Sequence, residues 1–362
     1  MLCRSGENVR PYLAGGVLLL ALLLAACGEV STDLEIETER IVAGVDLNQL
    51  FAPPTAQERQ QVLDAWAARD VSARNVQEVA RASLELDGAP VTLQILHHTV
   101  QGQRHVGAVV VPDSLQAPAP VLVWLHGGDA GVRLETDVWP LVDSLDLRRF
   151  VLVIPAFRGE ALAYQGLTFS AEGVRNPWDG DVDDALALLN VVLARVPMAD
   201  PERLVAFGMD RGATVALLMA VRDTRIQTAI GVAGLTDFFG AFMQQVVEEA
   251  LQGTVRPVPG LAAFNEQVLV PLRDGTLSMA EARRALLRRS PVWFADRLPA
   301  GQWHHGRRDP VIPASEAERL ASVRPASFQV YLYESEAHEL ISLPGSLERI
   351  RALLDELVGT MP

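Results

Sequence analysis

The chain has 362 residues, of which 49% are hydrophobic and 21% charged, a composition that fits a globular protein with a large core. Acidic residues outnumber basic ones by 45 to 31, and the net charge of −14 disfavours binding to nucleic acid or to anionic lipid head groups. The two cysteines, Cys3 and Cys27, both lie near the N-terminus, which excludes a disulfide, a thiolate nucleophile or a cysteine-bound metal in the rest of the chain.

The N-terminal segment has the pattern of an export signal. Arg4 and Arg10 precede an apolar run over residues 13–26, which is too short to span a bilayer comfortably. The run ends in Leu-Ala-Ala-Cys-Gly, with the cysteine at position 27, and this sequence resembles the lipobox of bacterial lipoproteins. The resemblance implies cleavage before Cys27, acylation of Cys27 and a lipid anchor at the bacterial cell envelope, with the outer membrane as the expected site. An uncleaved membrane anchor and an ordinary signal peptide are the alternatives.

The chain divides into a signal peptide, a tether and a folded domain. We predict the signal peptide at residues 1–26, a polar tether at 27–54 and the domain at 55–362. A helix is predicted over residues 55–80 from the spacing of its apolar side chains, and a β-hairpin over 91–111 from the alternation of apolar and polar residues.

Beyond the hairpin, short apolar runs indicate strands that are buried on both faces of a sheet, and helical segments separate them. The predicted strands are 121–125, 150–154, 204–207, 229–233 and 328–333. The predicted helices are 181–195, 211–221 and 347–358. Residues 235–300 break the alternation and predict a helical insertion or lid, in which Ser278 and Glu281 form a capping box. The pattern therefore predicts an α/β fold with a mostly parallel, doubly wound sheet.

Two of the loops that follow predicted strands suggest an acyl-transfer or alkyl-transfer site, because open α/β sheets place their sites at strand ends. Gly127 and Gly128 follow His126, and their backbone N–H groups could approach a substrate oxygen as in an oxyanion hole. The segment from Gly208 to Gly212 has the G-x-x-x-G frame of a nucleophile elbow, with Asp210 at its centre. The helix that begins at Arg211 directs its positive end at the site and favours an anion there. A plain strand–helix turn is the alternative interpretation.

The other two loops supply an acid and a histidine. Asp309 lies in the loop 306–313, and His338 follows the last predicted strand. The chain order Asp210, Asp309, His338 is the order nucleophile, acid, histidine of α/β-hydrolases. His338 could alternatively be a surface histidine.

These segments together resemble the catalytic domain of the prolyl-oligopeptidase-like (S9) group of α/β-hydrolases, over residues 91–357. The matching segments are 121–128, 153–159, 181–188, 199–203, 290–291 and the loops of Asp309 and His338. The resemblance implies an α/β-hydrolase fold and hydrolysis of peptide or ester bonds. Members of the group carry serine where Asp210 stands, and this chain has no room for the β-propeller that some members add.

Aspartate at the elbow changes the chemistry. A carboxylate that attacked a carbonyl carbon would form a high-energy anhydride, whereas carboxylates suit attack on saturated carbon, as in epoxide hydrolases and dehalogenases of the same fold. The Asp-Arg-Gly sequence at 210–212 resembles the elbow of some of these enzymes. Their supporting residues are missing, because residues 235–300 contain no tyrosine, Thr214 stands where fluoroacetate dehalogenase has a second arginine, and Arg211 stands where haloalkane dehalogenases have tryptophan.

Three hypotheses about function follow. The first is a lipid-anchored hydrolase of a small-molecule or peptide substrate, with Asp210 as nucleophile or as base for water. The second is a non-catalytic envelope protein that binds a ligand or partner at the same site. The third is a serine hydrolase whose serine comes from elsewhere, with Ser335 as the candidate nearest His338.

No cofactor is expected, because glycine-rich phosphate loops are absent from the sequence. No metal site is expected either. The pairs His97-His98 and His304-His305 each place their two side chains on opposite faces of a strand, so neither pair chelates readily.

Overall fold

The computed structural model describes residues 39–359, and those from Arg40 onward form one compact unit. The strands among these residues are β1 (Ile41–Val42), β2 (Val45–Asp46), β3 (Arg74–Leu86), β4 (Ala89–Val100), β5 (Gln103–Pro112), β6 (Ala119–Leu125), β7 (Val132–Arg133), β8 (Val151–Ala156), β9 (Ala161–Tyr164), β10 (Leu167–Ser170), β11 (Ala199–Met209), β12 (Ile226–Val232), β13 (Ala300–Gly306) and β14 (Phe328–Tyr333). The α-helices are α1 (Leu47–Phe51), α2 (Ala56–Ala67), α3 (Trp139–Leu145), α4 (Asp179–Arg195), α5 (Arg211–Arg222), α6 (Ala241–Leu251), α7 (Leu261–Phe264), α8 (Val270–Arg273), α9 (Met279–Leu287), α10 (Ser315–Val323) and α11 (Ser346–Gly359). Shorter π and 3-10 turns lie at Leu134–Val138, Leu147–Arg149, Asn265–Leu269, Pro291–Arg297 and Leu340–Ser342.

Nine strands form the central sheet, in the order β14-β13-β12-β11-β6-β8-β5-β4-β3. The strands from β14 to β8 run parallel to one another. The strands β5, β4 and β3 extend the sheet in antiparallel fashion at one edge. The prediction of an α/β fold with a mostly parallel sheet and an N-terminal antiparallel hairpin is confirmed. Parallel strands bring their carboxyl ends to the same edge, which is where the candidate site lies.

A separate hydrophobic core lies on each face of the sheet, because successive side chains of a strand point to opposite faces. In β6, Val121, Val123 and Leu125 face the core that contains α2, α4 and α5. Leu122 and Trp124 face the core that contains α3 and α11. Helices therefore cover both faces of the sheet, as the doubly wound pattern predicts.

Two predicted elements need correction. The helix predicted over residues 55–80 ends at Ala67, because residues 74–86 form the edge strand β3 and pair with β4. The tether predicted over residues 27–54 is also too long. Leu47 and Leu50 in α1 are fully buried against the first core, so the packed domain begins near Arg40 instead of Thr55.

The insertion over residues 235–300 is helical, as predicted, and contains α6 to α9. The hydroxyl oxygen of Ser278 accepts a hydrogen bond from the N–H of Glu281, and the Glu281 carboxylate accepts one from the N–H of Ser278, so the predicted capping box is present. No helix within residues 39–359 is long and apolar enough to cross a membrane. The predicted signal peptide and the lipidation site Cys27 lie outside the described residues.

Candidate active site

The tight strand–helix turn predicted as an elbow at residues 208–212 is present. Asp210 connects the end of β11 to the start of α5, with φ of 53° and ψ of −121°, a backbone conformation that non-glycine residues adopt only when the surroundings impose it. A Cβ atom at Gly208 would lie 2.1 Å from the carbonyl oxygen of Gly212, and one at Gly212 would lie 2.1 Å from the carbonyl oxygen of Leu125. Both glycines are therefore needed for the tight turn that projects Asp210.

The three predicted catalytic residues meet at this elbow. The Nδ1 atom of His338 lies 2.8 Å from Oδ2 of Asp309, within hydrogen-bond distance. The Nε2 atom of His338 lies 3.7 Å from Oδ1 of Asp210. The other oxygen of Asp309 accepts hydrogen bonds from the N–H groups of Val311 and Ile312, which fix its carboxylate. The histidine ring is thus held between two carboxylates.

This arrangement favours the protonated form of His338. Burial of the ring opposes protonation, but the contacts with the carboxylates of Asp210 and Asp309 outweigh it and raise the pKa of His338 to about 9. Burial alone would raise the pKa of Asp309, yet the hydrogen bonds from His338 and from the backbone of Val311 and Ile312 lower it. At neutral pH the site therefore holds an imidazolium ion between two carboxylates.

The predicted oxyanion loop lies directly against Asp210. The N–H of Gly128 donates a hydrogen bond of 2.9 Å to Oδ2 of Asp210. Gly128 has a φ of +70°, and a Cβ atom at Gly127 would come within 3.0 Å of both Cβ and Oδ2 of Asp210. The loop therefore needs glycine at both positions to reach the carboxylate. The N–H of Gly128, the donor that a substrate oxygen would use, already donates to Asp210.

Arg211, the first residue of α5, directs its side chain into the protein interior. The side chain is fully buried, and it donates two hydrogen bonds to the carboxylate of Asp181. It also donates to Glu160 and Asp129 and to the carbonyl oxygen of Gly128. Its guanidinium therefore fixes the loops beneath the elbow instead of binding a ligand.

The carboxylates of this network were not among the residues predicted from the sequence. Asp181 lies on α4, Glu160 lies in the loop after β8, and Asp129 follows Gly128. Burial raises the pKa of Glu160 to about 7, although the charge of Arg211 opposes that shift. A signal for Asp181 existed, because acidic residues occupy positions in α4 that are otherwise surrounded by apolar, buried side chains.

The same network attaches the insertion to the oxyanion loop. The carboxylate of Asp129 accepts a hydrogen bond of 2.8 Å from the N–H of Gly260 in the insertion. Gly260 packs closely on Pro177 and Trp178, since a Cβ atom there would lie 2.8 Å from Pro177. Asp129 therefore connects the elbow, the oxyanion loop and the insertion.

Two pockets lie beside the loops that carry Asp210, Asp309 and His338. The first, which we name the oxyanion-side pocket, has a volume of about 410 Å³, and its lining includes Gly127, Gly128, Met209 and Glu339. The second has a volume of about 290 Å³ and lies between the Asp309 loop and residues 242 and 256–258 of the insertion. The first pocket borders the Asp210 carboxylate through Gly128, which lines the pocket and whose N–H donates to Oδ2 of Asp210.

The remaining sequence candidates do not reach the site. The hydroxyl oxygen of Ser335 accepts a hydrogen bond from the N–H of Ala337, while the two ring nitrogens of His338 face Asp309 and Asp210. The Nδ1 atom of His304 forms a hydrogen bond with the hydroxyl group of Tyr333. Within residues 39–359, no group of three potential ligands could hold a metal ion. His305, considered above only for a metal site, lies beside Asp309, with its Nε2 3.5 Å from Oδ2 of that residue.

Comparison with solved structures identifies the fold. The acetyl xylan esterase 1 of Thermoanaerobacterium sp. JW/SL YS485 aligns with a TM-score of 0.58 and 16% identity over 88% of this chain and 95% of that one. A puromycin-hydrolysing peptidase of Mycobacterium tuberculosis aligns with a TM-score of 0.55 and 21% identity over 78% of this chain and 40% of that one. The acylaminoacyl peptidase of Pyrococcus horikoshii aligns with a TM-score of 0.52 and 13% identity over 79% of this chain and 50% of that one.

The protein has the α/β-hydrolase fold that these enzymes share. At such identities the likeness defines the fold alone. No family model matches the sequence, and no curated protein matches it.

Proposed function

We propose that the protein is a hydrolase in which the carboxylate of Asp210 attacks a saturated carbon atom of a small-molecule substrate. One observation carries the proposal: Oδ2 of Asp210 accepts the N–H of Gly128 at 2.9 Å, while Oδ1 lies 3.7 Å from His338. The two oxygens are therefore in different surroundings. In the proposed mechanism Oδ1 acts as the nucleophile, and Oδ2 takes up negative charge beside the N–H of Gly128.

In the first step, Oδ1 forms a bond to the substrate carbon, and the leaving group departs with its electron pair. The product is an alkyl ester of Asp210, which carries no charge. This removes one of the two carboxylates that hold the pKa of His338 at about 9. The imidazolium can then release its proton to the leaving group or to solvent and become a base.

In the second step, His338 takes a proton from a water molecule that attacks Cγ of the Asp210 ester. Negative charge develops on Oδ2, which the N–H of Gly128 already contacts. The bond between Cγ and Oδ1 then breaks, and the departing alkoxide takes the proton from His338. The alcohol leaves with Oδ1, and Asp210 keeps one oxygen atom from water. The second proton of that water passes from the new carboxylic acid to His338, which restores the carboxylate of Asp210 and the imidazolium. Asp309 orients His338 throughout.

The same geometry argues against acyl transfer with Asp210 as a base for water. A substrate carbonyl oxygen would need the N–H of Gly128, and Oδ2 of Asp210 occupies that donor. The esterase and peptidase activities in the names of the similar structures are therefore not proposed for this chain.

A second candidate is a non-catalytic protein that binds a ligand at the same site. It is supported by the electrostatics, because the imidazolium of His338 and the occupied donor of Gly128 satisfy the site without a substrate. For either function we propose that Cys27 anchors the chain by lipid at the bacterial cell envelope, on the strength of the lipobox resemblance.

Mass spectrometry separates the two functions. Wild type, His338→Gln and Asp210→Asn are incubated with panels of epoxides, haloalkanes and activated esters. We expect His338→Gln to accumulate an alkyl adduct on the peptide that contains residue 210, because the ester forms but water is not activated. In wild type, a single turnover in 18O-water should place 18O in Asp210, and Asp210→Asn should form no adduct. An adduct on another residue contradicts the mechanism, and the absence of adducts and turnover with all three panels supports the binding function.

A further inference from the structure

The oxyanion-side pocket is the one lined in part by Gly128, the hydrogen-bond donor to Asp210, and its walls are largely apolar. Its lining includes Met209, directly before Asp210, and Leu340, two residues after His338. Apolar side chains contributed by three separate segments face it: Pro140, Leu141, Met209, Leu340 and Ile341. Its volume of about 410 Å³ is in the range of small-molecule sites. Apolar contacts would hold a group bound there against Gly128, whose N–H donates to Asp210.

The polar side chains that line the pocket are paired with one another or uncharged, with one exception. Arg133 lies opposite Asp137, with 3.8 Å between Nε and Oδ1, and its N–H donates to the same carboxylate. Thr136 donates its hydroxyl to Asp137 as well. Burial and the nearby Arg211 lower the pKa of His126 to about 4, so this histidine is neutral.

The exception is Glu339, which is exposed at the pocket. Among the described residues its carboxylate forms no ion pair, so its charge remains uncompensated. The reacting groups themselves carry one positive and two negative charges, on His338, Asp210 and Asp309. Their sum is also negative, and a ligand in the pocket would experience a negative potential from both sides.

We propose that the oxyanion-side pocket binds the organic part of the substrate and selects an uncharged or cationic alkyl group over an anionic one, with Glu339 setting this preference. The proposal rests on the proposed function, in that Asp210 is the group that the bound alkyl chain must reach. It narrows the substrate class to neutral or cationic alkylating compounds and excludes those that carry a carboxylate or a phosphate near the reacting carbon.

Binding can be measured without any reaction by using probes that carry no leaving group. Hexan-1-ol, butyltrimethylammonium and hexanoate have alkyl chains of similar length and differ in charge. The full chain is labelled at its methionine methyl groups with 13C, and Met209→Leu assigns the Met209 resonance. We expect hexan-1-ol and butyltrimethylammonium to shift this resonance, and hexanoate to bind at least tenfold more weakly than hexan-1-ol.

Charge reversal at Glu339 provides the matched test. Glu339→Arg should strengthen hexanoate binding at least tenfold and weaken butyltrimethylammonium binding, and Glu339→Gln should give intermediate values. Glu336→Arg makes the same change of net charge at an exposed position that does not line the pocket, and it should alter neither affinity by more than about twofold. With reactive haloalkanes or epoxides of the same charges, Glu339→Arg should change KM more than kcat.

The outcomes distinguish this proposal from the mechanism. Equal affinity of wild type for hexanoate and hexan-1-ol, equal effects of the two arginine substitutions, or an unmoved Met209 resonance would each overturn it. If the charge order holds and no alkyl adduct forms with any panel, the hydrolase mechanism fails while the pocket assignment stands. If adducts form on Asp210 but the probes do not shift the Met209 resonance, the pocket assignment fails while the hydrolase mechanism stands.

Discussion

The backbone N–H of Gly128 donates to Oδ2 of Asp210 over 2.9 Å, so the nucleophile position and the oxyanion donor are joined in the protein as it stands. With serine at an elbow of this fold, such an N–H serves the carbonyl oxygen of the substrate. With aspartate, the carboxylate brings its own oxygen to that donor. Aspartate therefore changes two properties of the site at once, the nucleophile and the availability of the donor.

Replacement of Asp210 by serine should therefore produce esterase activity. It frees the N–H of Gly128, and it leaves Asp309 as the only carboxylate beside His338, so the pKa of the histidine falls from about 9 and the ring can act as a base. We expect Asp210→Ser to hydrolyse p-nitrophenyl acetate at least tenfold faster than wild type. A fluorophosphonate should label the variant at residue 210 and leave wild type unlabelled.

Asp210→Ala is the control for this experiment, because it also frees the donor and alters His338 but supplies no nucleophile. It should show neither labelling nor a rate above that of wild type. Strong labelling of wild type would reveal an active serine elsewhere in the chain. A folded Asp210→Ser that neither labels nor turns over would contradict an oxyanion hole at Gly127 and Gly128.

The raised pKa of His338 should be visible in solution and in the stability of the fold. An NMR titration of the His338 ring should have its midpoint near pH 9, and Asp210→Asn should lower that midpoint because it removes one carboxylate. A histidine whose pKa is higher in the folded state stabilises the fold fully below its unfolded pKa of about 6.5. That contribution is lost as the pH rises from about 6.5 through 9.

Urea unfolding at pH 6.5 and at pH 9.5 measures this loss. The free energy of unfolding of wild type should fall more over this range than that of His338→Gln, which lacks the titrating group. Identical pH dependence of the two proteins would show that His338 is not held as an imidazolium between Asp210 and Asp309.

Local sequence patterns were sufficient to predict the strands that have clear apolar runs. The strand predicted at 121–125 lies within β6, whose residues are all buried. The strand predicted at 328–333 coincides with β14, in which Phe328 and Tyr333 are buried. The strand β13 was missed. Its sequence, with Trp303, His304 and His305, is aromatic and polar, yet all three side chains are buried, and hydrogen bonds within the fold satisfy His304.

The chain order of Asp210, Asp309 and His338 was also sufficient to predict that they meet. The direction of the Arg211 side chain could not be predicted, because it depends on Asp181 and Glu160, which lie 30 and 51 residues away in the chain. A residue next to a nucleophile can face the substrate or the core. Here two buried carboxylates decide that it faces the core.

Asp129 should restrain the insertion, because it accepts the N–H of Gly260 and also pairs with Arg211. Asp129→Ala removes both contacts, so we expect faster amide hydrogen exchange in residues 256–264 without global unfolding. Asp129→Asn keeps an oxygen acceptor for Gly260 and should show a smaller increase. Equal exchange in wild type and both variants would mean that the insertion is held by its apolar contacts alone.

Loss of Arg211 should destabilise the protein strongly. Its buried guanidinium forms ion pairs with Asp181 and Glu160, and Arg211→Met would leave these carboxylates buried without the cation that binds them directly. Removal of one partner from a buried ion pair costs about 3–5 kcal/mol. The free energy of unfolding, measured by urea denaturation at pH 7, should fall by about that amount.

The matched control is Arg81→Met, since Arg81 forms a salt bridge with Glu78 at an exposed position of β3. Exposed pairs contribute about 0–1 kcal/mol, so this variant should unfold close to the wild-type midpoint. Arg211→Lys tests geometry as well as charge. One ammonium group cannot reproduce the two parallel hydrogen bonds to Asp181 together with those to Glu160 and Asp129, so it should recover only part of the loss. A free energy of unfolding for Arg211→Met within 1 kcal/mol of that for Arg81→Met would show that Arg211 is not the structural centre of the loops beneath Asp210.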